Sequence, residues 1–238
     1  AYLWRTLLPE LRMIRTVIFD MDGVLVDTEP LHHDAYFRHF RELGVSLSEE
    51  EYRTFLGLTT RRVYQRLQQE FGVREDVDTL VQRKRELFAV AFDEAHHLAL
   101  LPGASALVED LHRAGVPLQL ASSASMETIH RVFRRFGLYP YFDHLVSGES
   151  FPQSKPHPAI FLHAAALAGV PPQACVVIED SANGVTAAKA AGMFCIGYCS
   201  AHSAGQDLSH ADWVVPDLRQ LSAAVVQALP AAGLPAPN

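Results

Sequence analysis

The chain has 238 residues, 49% of them hydrophobic and 20% charged, with a formal net charge of −7. That length holds one large domain or two modest ones with a sizeable core, and the acidic balance speaks against nucleic acid or an anionic membrane surface as a partner. No apolar stretch is long enough to span a bilayer, and Cys175, Cys195 and Cys199, odd in number and without metal-type spacing, read as buried thiols of a reducing, cytoplasmic setting.

The first twelve residues, AYLWRTLLPELR, lack the apolar run and cleavage site of a signal peptide and read as an extension ahead of a domain that starts near Met13. TVIF (16–19) has the character of a short buried strand, and it ends on Asp20 with Asp22 and Gly23 close behind. From about Leu31 to Leu98 no strand pattern appears. LHHDAYFRHFRELG has helical spacing closed by Gly44, and SLSEEEYRTFLG opens on Ser48, an N-cap candidate with acids in the first turn. TTRRVYQRLQQEFG and DVDTLVQRKRELFAVAF continue the helical period. Pro102-Gly103 then starts a regular alternation. Helical patterns over 103–114, 125–136, 157–168 and 182–191 fall between the strand-like runs VPLQLA (116–121), HLVS (144–147), CVVIE (175–179), MFCIGY (193–198) and DWVV (212–215). Gly115, Gly137, Gly169 and Gly192 stand where those helices should stop. Alternation of this kind predicts an α/β fold with a Rossmann-like parallel sheet. The expected organisation is a core of residues 13–28 with 99–229, an inserted all-helical cap over 29–98, and a frayed tail, PAAGLPAPN.

Ligands of open parallel sheets bind beyond the carboxyl ends of the strands. The residues expected there are Asp20 and Asp22, Ser122 and Ser123, and Glu179, Asp180 and Ser181, with Lys155 of SKPHP before Pro156 at the start of a helix. Carboxylates without histidine or thiolate clusters suit a hard cation, Mg²⁺ before others. Asp20 could ligate the metal with one carboxylate oxygen and attack phosphorus with the other, forming an aspartyl-phosphate. Lys155 and the metal would neutralise phosphoryl oxygens, Ser122 would donate to one of them, and Asp22 could serve as acid and then base. The bland readings are a helix cap for Ser122, a role that Ser123 or Ser125 could take instead, and a solvated surface charge for Lys84.

Four motifs in order, DMDGVLVDT (20–28), LASS (120–123), SKPHPAIF (154–161) and VVIEDSANGVTAAKAAGM (176–193), resemble the haloacid dehalogenase superfamily and, within it, the β-phosphoglucomutase-like phosphatases. The resemblance implies Asp20 as nucleophile, Asp22 as acid/base with its backbone carbonyl on Mg²⁺, Ser122 and Lys155 on phosphate, Asp180 as metal ligand, Glu179 at the site's edge, and a helical cap that closes over a small phosphorylated substrate. Asp22 argues against carbon–halogen cleavage. The resemblance also implies a cap arginine in sugar-phosphate mutases; the matching position in FLGLTTRR is Thr60, with Arg61 next, so hydrolysis is expected over a phosphoryl shift. By the same resemblance His32 corresponds to a cap-hinge histidine that could couple substrate binding to Asp22, and Lys84 to a substrate-facing lysine of the cap. The expected enzyme is a monomeric Mg²⁺-dependent phosphatase acting on a sugar phosphate. The alternatives are a mutase, and a non-catalytic binding protein on the same fold.

Overall fold

The computed structural model describes residues 13–55, 58–200 and 205–230. The N-terminal extension, the tail beyond Pro230 and Gly57 of FLGLTT lie outside them. Two compact units form, Asp27–Ala99 and the remainder of the chain.

The larger unit is a six-stranded sheet in the order β3-β2-β1-β4-β5-β6, every neighbouring pair parallel. Its strands are β1 (Thr16–Phe19), β2 (Leu118–Ser122), β3 (His144–Ser147), β4 (Cys175–Glu179), β5 (Phe194–Tyr198) and β6 (Trp213–Val215). β1, β2, β4 and β5 are buried along their whole length, which is why they read as unbroken apolar runs and not as alternating ones. Parallel strands need crossovers, and helices supply them. They are α5 (Ala104–Arg113) before β2, α6 (Met126–Phe136), α7 (Ala159–Leu167) and α8 (Ala182–Ala190), with a short α9 (Ala223–Gln227) at the end. One face packs Phe161, Ala164 and Ala165 of α7 and Val185 and Ala188 of α8 against Ile18, Val177 and Cys195 of the sheet. The glycines predicted to end helices, Gly44, Gly115, Gly137, Gly169 and Gly192, all have positive φ.

Two expectations change here. Cys175 and Cys195 are buried, but Cys199, just past the end of β5, is exposed. Lys155 does not sit at the start of α7: Pro158 is the residue that precedes that helix, and Lys155 lies in a turn ahead of it, joined to Pro156 by a cis peptide.

The smaller unit is all-helical among its described residues: α1 (Glu29–Glu42), α2 (Glu49–Arg53), α3 (Thr60–Phe71) and α4 (Val77–Glu94). Ser48 caps α2 in a full capping box with Glu51, although that helix runs only five residues. Thr59 caps α3 and Asp76 caps α4. Tyr36, Phe40, Tyr52, Val63, Tyr64, Leu67 and Leu80 make its own core.

None of the described helices is long and apolar enough to cross a membrane.

Candidate active site

The carboxyl ends of β1, β2 and β4 lie side by side, because β1 pairs with β2 on one edge and β4 on the other. β1 delivers Asp20, whose backbone N–H donates to the Ile178 carbonyl at 3.0 Å. The chain then turns tightly. Val24, Leu25 and Val26 all donate their N–H to the Met21 carbonyl, and Gly23 donates to Val26 at 2.8 Å. Gly23 has φ +81, and a Cβ placed on it would fall 1.9 Å from Asp180 Oδ2. Only glycine satisfies both the backbone angle and the space. The turn that carries Asp22, itself half-buried, therefore rests directly on the carboxylate that follows β4.

Lys155 organises the centre. Its side chain is buried, and Nζ donates to Asp20 Oδ1 at 2.6 Å, to Glu179 Oε1 at 2.7 Å and to the Ala121 carbonyl at 3.0 Å. Those three bonds use all of the ammonium's hydrogens. The Phe161 ring lies 4.8 Å below it. Burial disfavours the lysine's charge, but Asp20 and Glu179 outweigh it and hold the group above the usual lysine range. It stays a cation.

The acids behave differently. Burial pushes Asp20 up to about 7, with Lys155 pulling it down and Glu179 and Asp22 pushing it further up. Burial, then repulsion from Glu179 and Asp20, raises Asp180 well above the carboxylate range. Glu179, 1% exposed, is fixed from its other side: its Oε2 accepts from Ser181 N–H at 2.8 Å and from Ser181 Oγ at 2.9 Å. Gly184 leaves room for it, since a Cβ there would fall 1.7 Å from Oε1. Ser122, the last residue of β2, is buried and accepts from the Ala124 N–H at 3.1 Å. It is not the cap of α6; Ser125 is, accepting from Thr128 N–H at 3.2 Å. Ser123 beside it is half-buried.

The donor set fits a hard cation. Among the described residues no three His, Cys, Asp or Glu side chains are arranged to hold a metal on their own. The carboxylates of Asp20 and Asp180, near enough for the charge of the one to raise the other, match an ion that takes few protein ligands and keeps several waters, as Mg²⁺ does. Burial is the first cause of the raised proton affinity of both acids, and repulsion among the neighbouring carboxylates adds to it.

In the helical unit the predicted residues fare unequally. Lys84 is buried at 3% exposure, not a surface charge. It contacts His32 Nδ1, and its ammonium lies 4.5 Å from the Tyr36 ring centre and 5.1 Å from that of Phe88. His32 stacks on Phe88 with ring centres 4.2 Å apart. Burial and then the Lys84 charge hold the imidazole well below its usual range. Thr60 opens α3, and Arg61 is ion-paired with Asp78.

A profile of haloacid dehalogenase-like hydrolases matches residues 14–192. The chain belongs to that family. As a haloacid dehalogenase-like hydrolase it is 38% identical to hexitol phosphatase B of Escherichia coli over 187 residues, covering 76% of this chain and 82% of that protein. It is 31% identical to protein CbbY of Rhodobacter capsulatus over 225 residues, covering 91% and 98%. The crystal structure of a β-phosphoglucomutase from Clostridium difficile superposes with a TM-score of 0.80 at 27% identity, covering 90% of this chain and 96% of that one. Within the family the chain falls with the phosphatases. Sequence reasoning passed over Ser147 and Gly148, which pack beneath the Ser122 loop; a serine ending an apolar strand, followed by glycine, is the only signal they leave.

Proposed function

We propose that the chain hydrolyses small phosphorylated metabolites, sugar phosphates foremost, with Mg²⁺ and through an aspartyl-phosphate on Asp20. The reading rests above all on the buried Lys155 ammonium, held between Asp20 and Glu179 with Ser122 on the adjacent strand end. Asp20 attacks phosphorus in line, and the ester oxygen leaves with a proton from Asp22. Asp22 then takes a proton from water as that water attacks phosphorus and the bond to Asp20 breaks, releasing inorganic phosphate. Lys155 and the Ser122 hydroxyl meet the phosphoryl oxygens. Because Ser122 Oγ already accepts from the Ala124 N–H, its own hydrogen is free to be donated. Asp20, Asp180 and the Asp22 carbonyl would hold Mg²⁺, which would supply further positive charge against those oxygens.

A phosphoryl shift between two hydroxyls is the second reading, favoured by the likeness to β-phosphoglucomutase. It needs a free guanidinium or equivalent clamp for a distant phosphate. Thr60 carries no charge, and the Arg61 guanidinium is engaged by Asp78, so hydrolysis is preferred. The protein would act as a monomer in the cytoplasm. Incubation with β-glucose 1-phosphate, Mg²⁺ and a bisphosphate primer, followed by phosphorus NMR, should give free phosphate and negligible glucose 6-phosphate; the reverse would establish the shift. Asp20→Asn should remove turnover in either case while leaving the fold intact.

A further inference from the structure

We infer that Ser147, at the end of β3, is a positioning residue for the phosphate-binding loop Ser122–Ala124, acting through the Ala124 carbonyl. The inference rests on the reading of Ser122 as a donor to phosphate. β2 and β3 pair in parallel with Ser122 directly opposite Ser147, and both side chains are buried. The Ser147 hydroxyl donates to the Ala124 carbonyl at 2.6 Å. On the other side of the same residue, the Ala124 N–H donates to Ser122 Oγ at 3.1 Å. Ala124 is thus pinned between two serines on adjacent strand ends. Ser147 Oγ is held in its turn, accepting from the Glu149 N–H at 3.2 Å. Its hydrogen is thereby left to Ala124.

Gly148 adds a steric reason. A Cβ there would stand 3.1 Å from Ser123 Cα and 3.4 Å from the Ser122 carbonyl oxygen. Both are backbone atoms, so a larger residue could be accommodated only by moving the loop itself. The two positions do separate things to one segment: Ser147 draws Ala124 down, and Gly148 lets the loop come close. A shift of a few tenths of an ångström in Ser122 Oγ weakens a hydrogen bond whose strength depends on distance and angle.

The test measures the inhibition constant of inorganic phosphate and the kcat/KM for a phosphomonoester in four proteins: wild type, Ser147→Ala, Ser122→Ala and the double variant. The assays run well below every unfolding midpoint. Ser147→Ala should weaken phosphate inhibition and lower kcat/KM, each by about fivefold to tenfold. The same change on a Ser122→Ala background should cost less than twofold, since the loop then has no hydroxyl to aim. Gly148→Ala should weaken phosphate in the same direction. A merely structural serine would lower the unfolding midpoint and leave phosphate inhibition unchanged, which would overturn the inference. So would full multiplication of the two losses in the double variant. If Ser122→Ala alone left phosphate inhibition unchanged, the assignment of Ser122 would fall, a result separate from any failure of Ser147.

Discussion

Lys155→Ala is the most searching perturbation of this site, because it removes a charge that two buried acids share. Asp20 is 7% exposed and Glu179 1%, so neither can turn to water when the ammonium is gone. Three hydrogen bonds, of 2.6, 2.7 and 3.0 Å, disappear together. Removing one partner of a buried ion pair costs about 3–5 kcal/mol. For a chain of this size that lowers Tm by roughly 10 °C. The loss should depend on pH in a definite direction. In the wild type Asp20 is held at about 7, above its unfolded value of 3.8. The folded state thus keeps a proton that the unfolded chain releases, and this acid costs stability as pH rises from about 4 to about 7. Without Lys155 nothing offsets the repulsion, and the cost goes on growing above pH 7. The variant's deficit should be larger at pH 8 than at pH 5.5, where Asp20 is mostly neutral and the lysine has one charge fewer to attract. Thermal unfolding of both proteins with chelator present, at the two pH values, measures this. A Tm at pH 8 within about 2 °C of wild type, or a larger deficit in acid, would refute the reasoning. Turnover in the folded variant should fall by about 10²–10³.

Gly23→Ala should cost about 1–3 kcal/mol from the positive φ and the collision with Asp180, and should weaken Mg²⁺ binding in a calorimetric titration while wild type binds normally. Excess chelator should abolish phosphate release and Mg²⁺ should restore it; Ca²⁺, with its larger and looser shell, should bind without supporting turnover. Lys84→Met should move the His32 imidazole titration, followed by NMR, upward toward the ordinary histidine range, because one of the two causes that depress it is removed. His32 in the wild type releases its proton on folding, so it costs stability as pH falls through about 6.5. The variant should lose less stability across that interval.

Much of the core could be read from the chain because its causes are local. Strands buried on both faces give continuous apolar runs, and helices ended by positive-φ glycines give punctuation, so HLVS and CVVIE match β3 and β4 residue for residue. Asp20, Ser122 and Glu179 could be grouped because a parallel sheet brings strand ends together whatever the loops do, and Lys155 reaches them from the turn ahead of α7. What escaped is set by partners distant in sequence. Lys84 looked like one more charge in QRKRE, yet its surroundings are His32, Tyr36 and Phe88, and His32 lies 52 residues away. Arg61 gave no sign that Asp78 would take its charge. Lys155 lies about one turn further from α7 than Pro156 suggests, because Pro158 is the proline that precedes the first helical turn. Ser147 has no motif of its own; its role exists only in the register of two strands.

The larger unit is stitched shut where the helical one departs and returns. Val26 and Leu100 form an antiparallel bridge, and Leu101 N–H donates to the Leu25 carbonyl at 2.8 Å. Seventy-odd residues are thus spliced in at what is otherwise a hairpin mouth. A two-residue turn could join Val26 to Leu100 without disturbing the register of any strand in the sheet. The insertion point is a socket. An engineer can shorten what is plugged into it or graft a foreign module there, while Asp20, Ser122, Lys155 and Asp180 stay in their places.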